Sequence, residues 1–321
     1  MPEMRELGAS GLKTPRLVLG GNVFGFTLEG EEAFRVLDRF VEAGGTMIDT
    51  ADVYSAWVPG NAGGESETLI GEWLKRRGRR DDVLIATKVG MLPGEGGEKL
   101  EPARIASAAE ASLRRLGTDY IDLYYAHQDD ERTPLEDTLE AFDKLHKDGK
   151  IRVLAASNYS ADRLAEARRI SQDRGYARYE ILQPEYNLMA RDSFEGPLQR
   201  LCVAENIGVL PYFGLASGFL TGKYRSKADL GKSTRGDRMP KYMNRRGFAV
   251  LDALDEVAAQ TGATQAEIAL AWLAAQPGVT APIASATSVE QLEELLGSMD
   301  LDLGADQIER LSSAARVKEE A

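Results

Sequence analysis

The chain is poor in the residues that most enzymes use for covalent or metal chemistry. Its 321 residues contain a single cysteine and two histidines. One cysteine excludes an internal disulfide and fits a reducing compartment. That residue, Cys202, lies on the apolar side of a helical pattern in LQRLCVAENIGVL, as a core thiol does. His/Cys clusters with ligand spacing are absent, which argues against a zinc or other transition-metal centre. No serine or cysteine sits in a nucleophile-elbow context. No G-x-G-x-x-G follows a strand, and the spacing in LGGNVFG is wrong for the dinucleotide fingerprint. No apolar run reaches 18 residues, so a bilayer-spanning helix is not expected. The opening MPEMRELGASG is charged and lacks an apolar core, and no export signal is read there. Positive charge is also short: the net charge of −12 argues against nucleic acid or an anionic membrane as partner. The expected location is cytoplasmic.

What is present is alternation. After a small hairpin with a GASG turn, short apolar runs alternate with amphipathic helical stretches. The run ending at Gly20 is followed by strands expected over Thr46–Asp49, Val83–Lys88, Ile121–His127, Ile151–Ser157, Ile181–Gln183, Gly208–Tyr212 and Val279–Ile283. Helices are expected over Glu31–Ala43, Ser66–Arg77, Pro102–Leu116, Pro134–Lys147, Ala161–Arg174 and Glu195–Glu205, with a pair within Asn244–Ala275 and one over Ser288–Leu296. Thr133-Pro134 reads as a helix start with Pro at the first helical position, and Thr287–Glu290 as a capping box. Near-continuous apolar strands alternating with helices imply a parallel sheet covered by helices. Eight such units fit an α/β TIM barrel, a single domain over residues 1–321, with an N-terminal β-hairpin and a long loop after the seventh strand.

Several strands stop at a titratable residue. Asp49 and Tyr54 lie in GGTMIDTADVY, Lys88 in VLIATKVG and His127 in IDLYYAHQDD. In a parallel barrel these ends share one face, where the fold places its chemistry. A phenol is a weak acid, with an ordinary pKa of about 10. A neighbouring ammonium should lower that value, while a carboxylate holds the ammonium. His127 can orient a substrate oxygen or join a proton relay. An acid aimed at a carbonyl oxygen leaves the carbon in need of a nucleophile. With no covalent arrangement in sight, a bound cofactor is the best source. Lys88 as a Schiff-base amine is the competing reading of the same cluster.

The long loop, Gly214–Arg246, breaks the alternation. Within it Lys223–Arg246 carries nine cations, Lys223, Arg225, Lys227, Lys232, Arg235, Arg238, Lys241, Arg245 and Arg246, against Asp229 and Asp237. It reads either as a solvated loop or as a cover for an anionic ligand.

Taken in order, LVLGGNVFG, IDTADVY, IATKVG, DYIDLYYAH, GKIRVLAASN, LQPEYNLMARD and PYFGLASGFLTGKY resemble the aldo-keto reductase family, in its longer bacterial branch, over nearly the whole chain. The resemblance implies a TIM barrel, the tetrad Asp49, Tyr54, Lys88 and His127, and NADP(H) as cofactor with NAD(H) possible. It implies reduction of an aldehyde or ketone, possibly sugar-like, with Tyr54 as general acid. It further implies Gly20, Gly21 and Asn22 near the nicotinamide ribose, and Ser157, Asn158 and Gln183 at the carboxamide. Tyr212 would stack on the nicotinamide ring. Leu215, Ser217, Gly218 and Lys223 would follow the pyrophosphate. At the adenosine end, PIASATSVEQLEELLG departs from the family's pattern. Ser285, Thr287 and Gln291 stand where basic residues are common, and Glu294 is followed by Leu295 instead of Asn. These groups hydrogen-bond a phosphate without neutralising it. The segment YSAWVPGNAGGESE replaces a shorter turn and puts Trp57 at the pocket mouth, as a substrate contact. A cofactor-binding regulatory or redox-sensing subunit with weak turnover is the other function such a chain can have. Oligomeric state is not legible.

Overall fold

The computed structural model describes residues 2–232 and 236–317. The chain opens with the expected hairpin, in which β1 (Arg5–Glu6) pairs antiparallel with β2 (Lys13–Thr14). The turn is closed by Leu7 N–H donating to the Leu12 carbonyl at 2.8 Å. Gly8 is required there: its φ is +55°, and a Cβ would come within 2.3 Å of the Gly208 nitrogen. This contact seats Leu7 and Leu12 against the strands.

Eight parallel strands follow: β3 (Val18–Gly20), β4 (Met47–Asp49), β5 (Leu84–Val89), β6 (Ile121–Ala126), β7 (Ile151–Ser157), β8 (Tyr179–Gln183), β9 (Gly208–Val209) and β10 (Ile283–Ala284). Their order is β10-β3-β4-β5-β6-β7-β8-β9. The circle closes where Val209 bridges Val279, Thr280 N–H donates to the Val209 carbonyl at 2.9 Å, and Ile283 N–H to the Pro211 carbonyl at 2.9 Å. The fold is a TIM (β/α)8 barrel. The last strand is shorter than the expected Val279–Ile283 and shifted to its end, since Pro282 has no N–H to give to a ladder.

Helices α1 (Gly30–Glu42), α2 (Glu65–Arg77), α3 (Pro102–Leu116), α4 (Leu135–Lys147), α5 (Ala161–Arg174), α6 (Pro197–Ala204), α7 (Arg245–Thr261), α8 (Gln265–Ala274) and α9 (Val289–Gly297) surround the strands. Several helix ends shift by a residue or two from the expected bounds, and both expected start signals are placed differently. Pro134 is the cap of α4, not a helical residue, and extended φ/ψ of −53° and 129° hold it outside the helix. The cap of α9 is Ser288, whose Oγ accepts from Gln291 N–H, so Thr287–Glu290 is not the capping box. A further helix, α10 (Ala305–Ala314), is not anticipated by the sequence pattern; it buries Leu311 and Ala314 and ties to α7 through Arg310–Glu256 at 2.6 Å. Between β9 and α7 the long loop is built from short 3-10 turns, Ala216–Thr221, Lys227–Lys232, Gly236–Arg238 and Pro240–Tyr242. Arg235 lies outside the described residues. Among the described residues no helix is long and apolar enough to cross a membrane.

Side-chain parity divides the core in two. Val18, Met47, Ala86, Leu123, Tyr125, Val153, Ala155 and Ile181 point into the barrel, over the floor made by Leu7 and Leu12. Their neighbours Leu19, Ile48, Ile85, Tyr124, Leu154 and Leu182 pack outward against the helices. Because side chains alternate along a strand, the next inward positions are fixed by counting twos. They are Gly20 after Val18, Asp49 after Met47, Lys88 after Ala86, His127 after Tyr125, Ser157 after Ala155 and Gln183 after Ile181.

Candidate active site

Those six positions form the upper layer of the barrel interior. Lys88 is fully buried and Asp49 almost so. Burial of a charge is tolerable only with a partner and full hydrogen bonding. Lys88 has both: Nζ donates to Asp49 Oδ2 at 2.6 Å, to the Thr50 carbonyl at 2.7 Å and to the Tyr54 hydroxyl at 3.0 Å. An ammonium has three protons, and all are used. The second oxygen of Asp49, Oδ1, accepts from Gln183 Nε2 at 2.8 Å. Tyr54 OH also approaches Asp49 Oδ2 at 3.5 Å. Burial pushes the Lys88 ammonium below its usual value, against the pull of Asp49.

The Tyr54 phenol keeps a partly exposed face toward the mouth, with the His127 ring edge-on at 6.1 Å between centroids. Its pKa departs from the sequence expectation. The phenol lies well above 10 because it is surrounded by protein and because Asp49 opposes its ionisation. Tyr54 therefore holds its proton throughout the ordinary pH range. Lys88 lowers the cost of the phenolate without bringing the resting value down. His127 is held well below its usual 6.5 by burial and by Lys88, and is a neutral imidazole at neutral pH. Its Nδ1 is buried with no protein partner.

The neighbouring strand ends interlock. Ser157 Oγ donates to the Gln183 carbonyl at 2.8 Å. Asn158, in the left-handed region at φ +58°, donates through Nδ2 to the His127 carbonyl at 3.0 Å and accepts the Tyr212 hydroxyl at 2.8 Å. Few side chains accept a left-handed backbone as readily as asparagine. Gly20 lies against Ser285, since a Cβ there would be 2.5 Å from Ser285 Oγ. That hydroxyl donates to Asn22 Oδ1 at 2.6 Å. Gly21 N–H donates to the Asp49 carbonyl at 2.7 Å, joining the first loop to the tetrad strand. Leu215 packs against the core, and Ala216, Ser217 and Gly218 all have positive φ, at +48°, +58° and +99°. Within the run, Ala216 N–H donates to the Phe213 carbonyl at 2.7 Å and Gly218 N–H to the Leu215 carbonyl at 2.8 Å. Lys223 Nζ lies close to Gly218, 3.7 Å from where its Cβ would be.

Farther along this rim, Gln291 Oε1 accepts from Thr287 N–H at 3.0 Å and Thr287 Oγ1 at 2.9 Å. Glu294 is on the same helix, α9, and half-buried. The nine cations of the loop are not all available for a ligand. Arg225 pairs with Asp255 at 2.8 Å, Lys232 with Asp229 at 2.7 Å, and Arg246 donates to the Met189 carbonyl at 2.7 Å.

At the mouth, Trp57 is 51% exposed. It makes edge contacts with Tyr54 at 6.0 Å and with Phe26 at 6.1 Å between centroids. Phe26 and the Thr50 carbonyl join the site without a signal in the sequence. Thr50 follows Asp49 directly, but a main-chain acceptor has no residue-type signature; Phe26 sits in the loop after β3 without periodicity.

Outside the tetrad lies a second buried charge layer. Arg104 donates to Asp52 Oδ2 at 3.2 Å and to the Leu92 carbonyl at 3.1 Å, binding the loop after β4 to the loop after β5. Glu67 accepts from Arg115 at 2.6 Å and from Thr87 at 2.5 Å. Burial, reinforced by Glu67, raises the Asp52 carboxyl to about 7. Cys202 is fully buried, and its thiol is pushed up to about 12 by burial, which suits a core residue and not a nucleophile. Among the described residues no group of three or more His, Cys, Asp or Glu could hold a metal ion.

The site is a buried carboxylate–ammonium–phenol cluster at the carboxyl end of a closed parallel barrel. The Aldo/keto reductase family profile matches residues 16–316. An uncharacterized oxidoreductase, YrpG, of Bacillus subtilis (strain 168) is 32% identical over 320 residues, covering 97% of this chain and 95% of the relative. A probable voltage-gated potassium channel subunit beta of Arabidopsis thaliana is 32% identical, covering 93% and 92%. Aldo-keto reductase yakc [NADP(+)] of Schizosaccharomyces pombe (strain 972 / ATCC 24843) is 31% identical, covering 87% and 81%. The chain belongs to the aldo/keto reductase family, whose members are oxidoreductases that use nicotinamide cofactors.

Proposed function

We propose that this protein is an NADP(H)-dependent carbonyl reductase in which Tyr54 is the general acid. The observation that carries the reading is the saturated Lys88, whose three protons go to Asp49, Thr50 and the Tyr54 hydroxyl. Tyr54 holds its proton until a substrate oxygen needs it, and Lys88 then stabilises the phenolate left behind. Neutral His127 orients that oxygen and does not compete as an acid. When bound, the nicotinamide supplies a hydride to the carbonyl carbon, so that the carbonyl gains one hydride and one proton and becomes an alcohol.

The residues present fit a dinucleotide. Gly20, Gly21 and Asn22 would lie beside the nicotinamide ribose, next to the tetrad strand, and Leu215, Ser217 and Gly218 would follow the pyrophosphate. Ser157, Asn158 and Gln183 surround the carboxamide position, and Tyr212, half-exposed beside them, serves as the stacking ring. Lys223 attends the phosphates. Ser285, Thr287, Gln291 and Glu294 form the adenosine end. The NADP(+)-linked relative in fission yeast supports the choice of the phosphorylated cofactor, and NADH remains the runner-up. Trp57 and Phe26 suit a substrate with an apolar or ring-bearing face. The protein acts on a small molecule in the cytoplasm, within one barrel domain.

The likeness to potassium channel beta subunits favours one second reading, a cofactor-binding regulatory subunit with weak turnover. One experiment separates them: a panel of aldehydes and ketones followed at the NAD(P)H absorbance band with each cofactor in turn. Cofactor oxidation tied to alcohol formation is expected. Tight cofactor binding with negligible turnover across the panel would transfer support to the regulatory reading.

A further inference from the structure

Asp49 is held from two sides, and only one of them belongs to the acid machinery. Lys88 takes Oδ2. Gln183 takes Oδ1 from across the barrel, from a strand four places away in the sheet. The donor is unambiguous chemically. An ionised carboxylate offers only acceptors, so the amide must turn its nitrogen to Asp49 and its oxygen away. Gln183 has little freedom to do otherwise. It is 2% exposed, and its own main-chain carbonyl receives the Ser157 hydroxyl at 2.8 Å and the Asn158 N–H at 3.3 Å.

We propose that Gln183 is a positioning residue for the proton donor: by holding Asp49 Oδ1 it fixes the carboxylate that holds Lys88, which in turn faces Tyr54. The hydrogen-bonded line Gln183–Asp49–Lys88–Tyr54 runs from the nicotinamide edge of the pocket to the acid. This rests on the carbonyl-reductase reading for its catalytic consequence, but the line itself exists in the protein without cofactor. A residue that only gripped the carboxamide would need no contact with Asp49. The physical basis is the rotational freedom of a carboxylate. With one oxygen unheld, Asp49 turns about its terminal bond, and the ammonium loses its fixed direction toward the phenol.

The test uses three variants of the whole protein, Q183M, D49A and the double variant, together with Q183E. In the protein without cofactor, melting temperatures of the first three form a cycle. The proposal expects non-additivity, because each single change breaks the same hydrogen bond. In turnover, Q183M should lower kcat roughly tenfold, the scale of a hydrogen bond to a charged group, and shift the pH profile of kcat, with a smaller change in cofactor Kd measured by fluorescence. Q183E should recover activity as pH falls, since the introduced carboxyl can donate to Asp49 only when protonated. Additive melting temperatures overturn the proposal. So does a Q183M enzyme whose cofactor Kd rises while kcat and its pH profile stay as in the native protein. If the native protein turns over no carbonyl at all, the reductase reading fails, and the melting cycle still decides whether Gln183 holds Asp49.

Discussion

The Tyr54 hydroxyl and the Lys88 ammonium meet at 3.0 Å, and the same ammonium lies 4.7 Å from the centre of the Tyr54 ring. Tyr54→Phe keeps the ring and removes only the proton. Turnover should fall about 10²-fold or more, the usual worth of a positioned acid, while cofactor Kd stays near the native value. A variant with more than half of native kcat would refute the acid assignment.

Lys88→Met has a different signature, because it leaves Asp49 buried without its cation. Breaking one side of a buried pair costs about 3–5 kcal/mol. The variant should lose both turnover and melting temperature. Adding Asp49→Asn should return much of the stability and none of the activity. Equal instability of the single and double variants in urea unfolding would argue against the pair as the source of the cost.

Stability should carry the mark of Asp52. Its folded pKa of about 7 exceeds the ordinary 3.8, so the folded protein keeps a proton that the unfolded chain has released. The contribution is fully present below 3.8 and is lost as pH rises through about 7. His127 works oppositely: its depressed pKa favours folding above 6.5 and loses that contribution as pH falls. Asp52→Asn should therefore flatten the downward part of the native stability curve, leaving the His127 part. Melting temperatures of both proteins, taken from pH 4 to pH 8, check this; parallel curves would contradict it.

Much of this site is legible in the sequence, and the legible parts share a reason. Asp49, Lys88, His127, Ser157 and Gln183 end short apolar runs, and parity then decides which way each points. The helices α3 and α5 have the bounds their sequences imply because Gly117 and Gly175 end them in the left-handed conformation. α10 escapes notice because its apolar stripe is only Leu311, Ala314 and the half-buried Ile308, set among polar residues near the chain end. The Tyr54 pKa goes the other way from expectation because it depends on depth of burial, which residue order does not encode. The Gln183–Asp49 bond crosses 134 positions of sequence, and no local pattern foretells it.

Trp57 offers a specificity test. It is half-exposed and contacts Phe26 and Tyr54 by ring edges, so its removal should cost little stability. Trp57→Ala should raise KM about tenfold for an aryl aldehyde, given aromatic contact energies near 1 kcal/mol plus lost apolar contact. A two-carbon aldehyde should be affected much less. Equal changes for both substrates in steady-state assays would remove Trp57 from the substrate site.

At the far rim, Gln291 spends its oxygen on Thr287 and brings no charge. Gln291→Arg should tighten NADPH about tenfold, as charge-assisted bonds to a phosphate do, and leave NADH nearly unchanged. Fluorescence titration with each cofactor gives the ratio, and an unaltered ratio would exclude this position from the 2′-phosphate.

The alternation of inward and outward side chains has a consequence for how this protein can vary. Thr87 faces Glu67 in the outer layer, and Lys88 faces Asp49 inside. Duplication of one codon within β5 would exchange those two roles and dismantle the acid at a stroke. Gain or loss of several codons after Tyr54 would only reshape what the mouth admits. Length changes at the rim are thus a means of acquiring new substrates, while the strands beneath tolerate substitution but not a change of count.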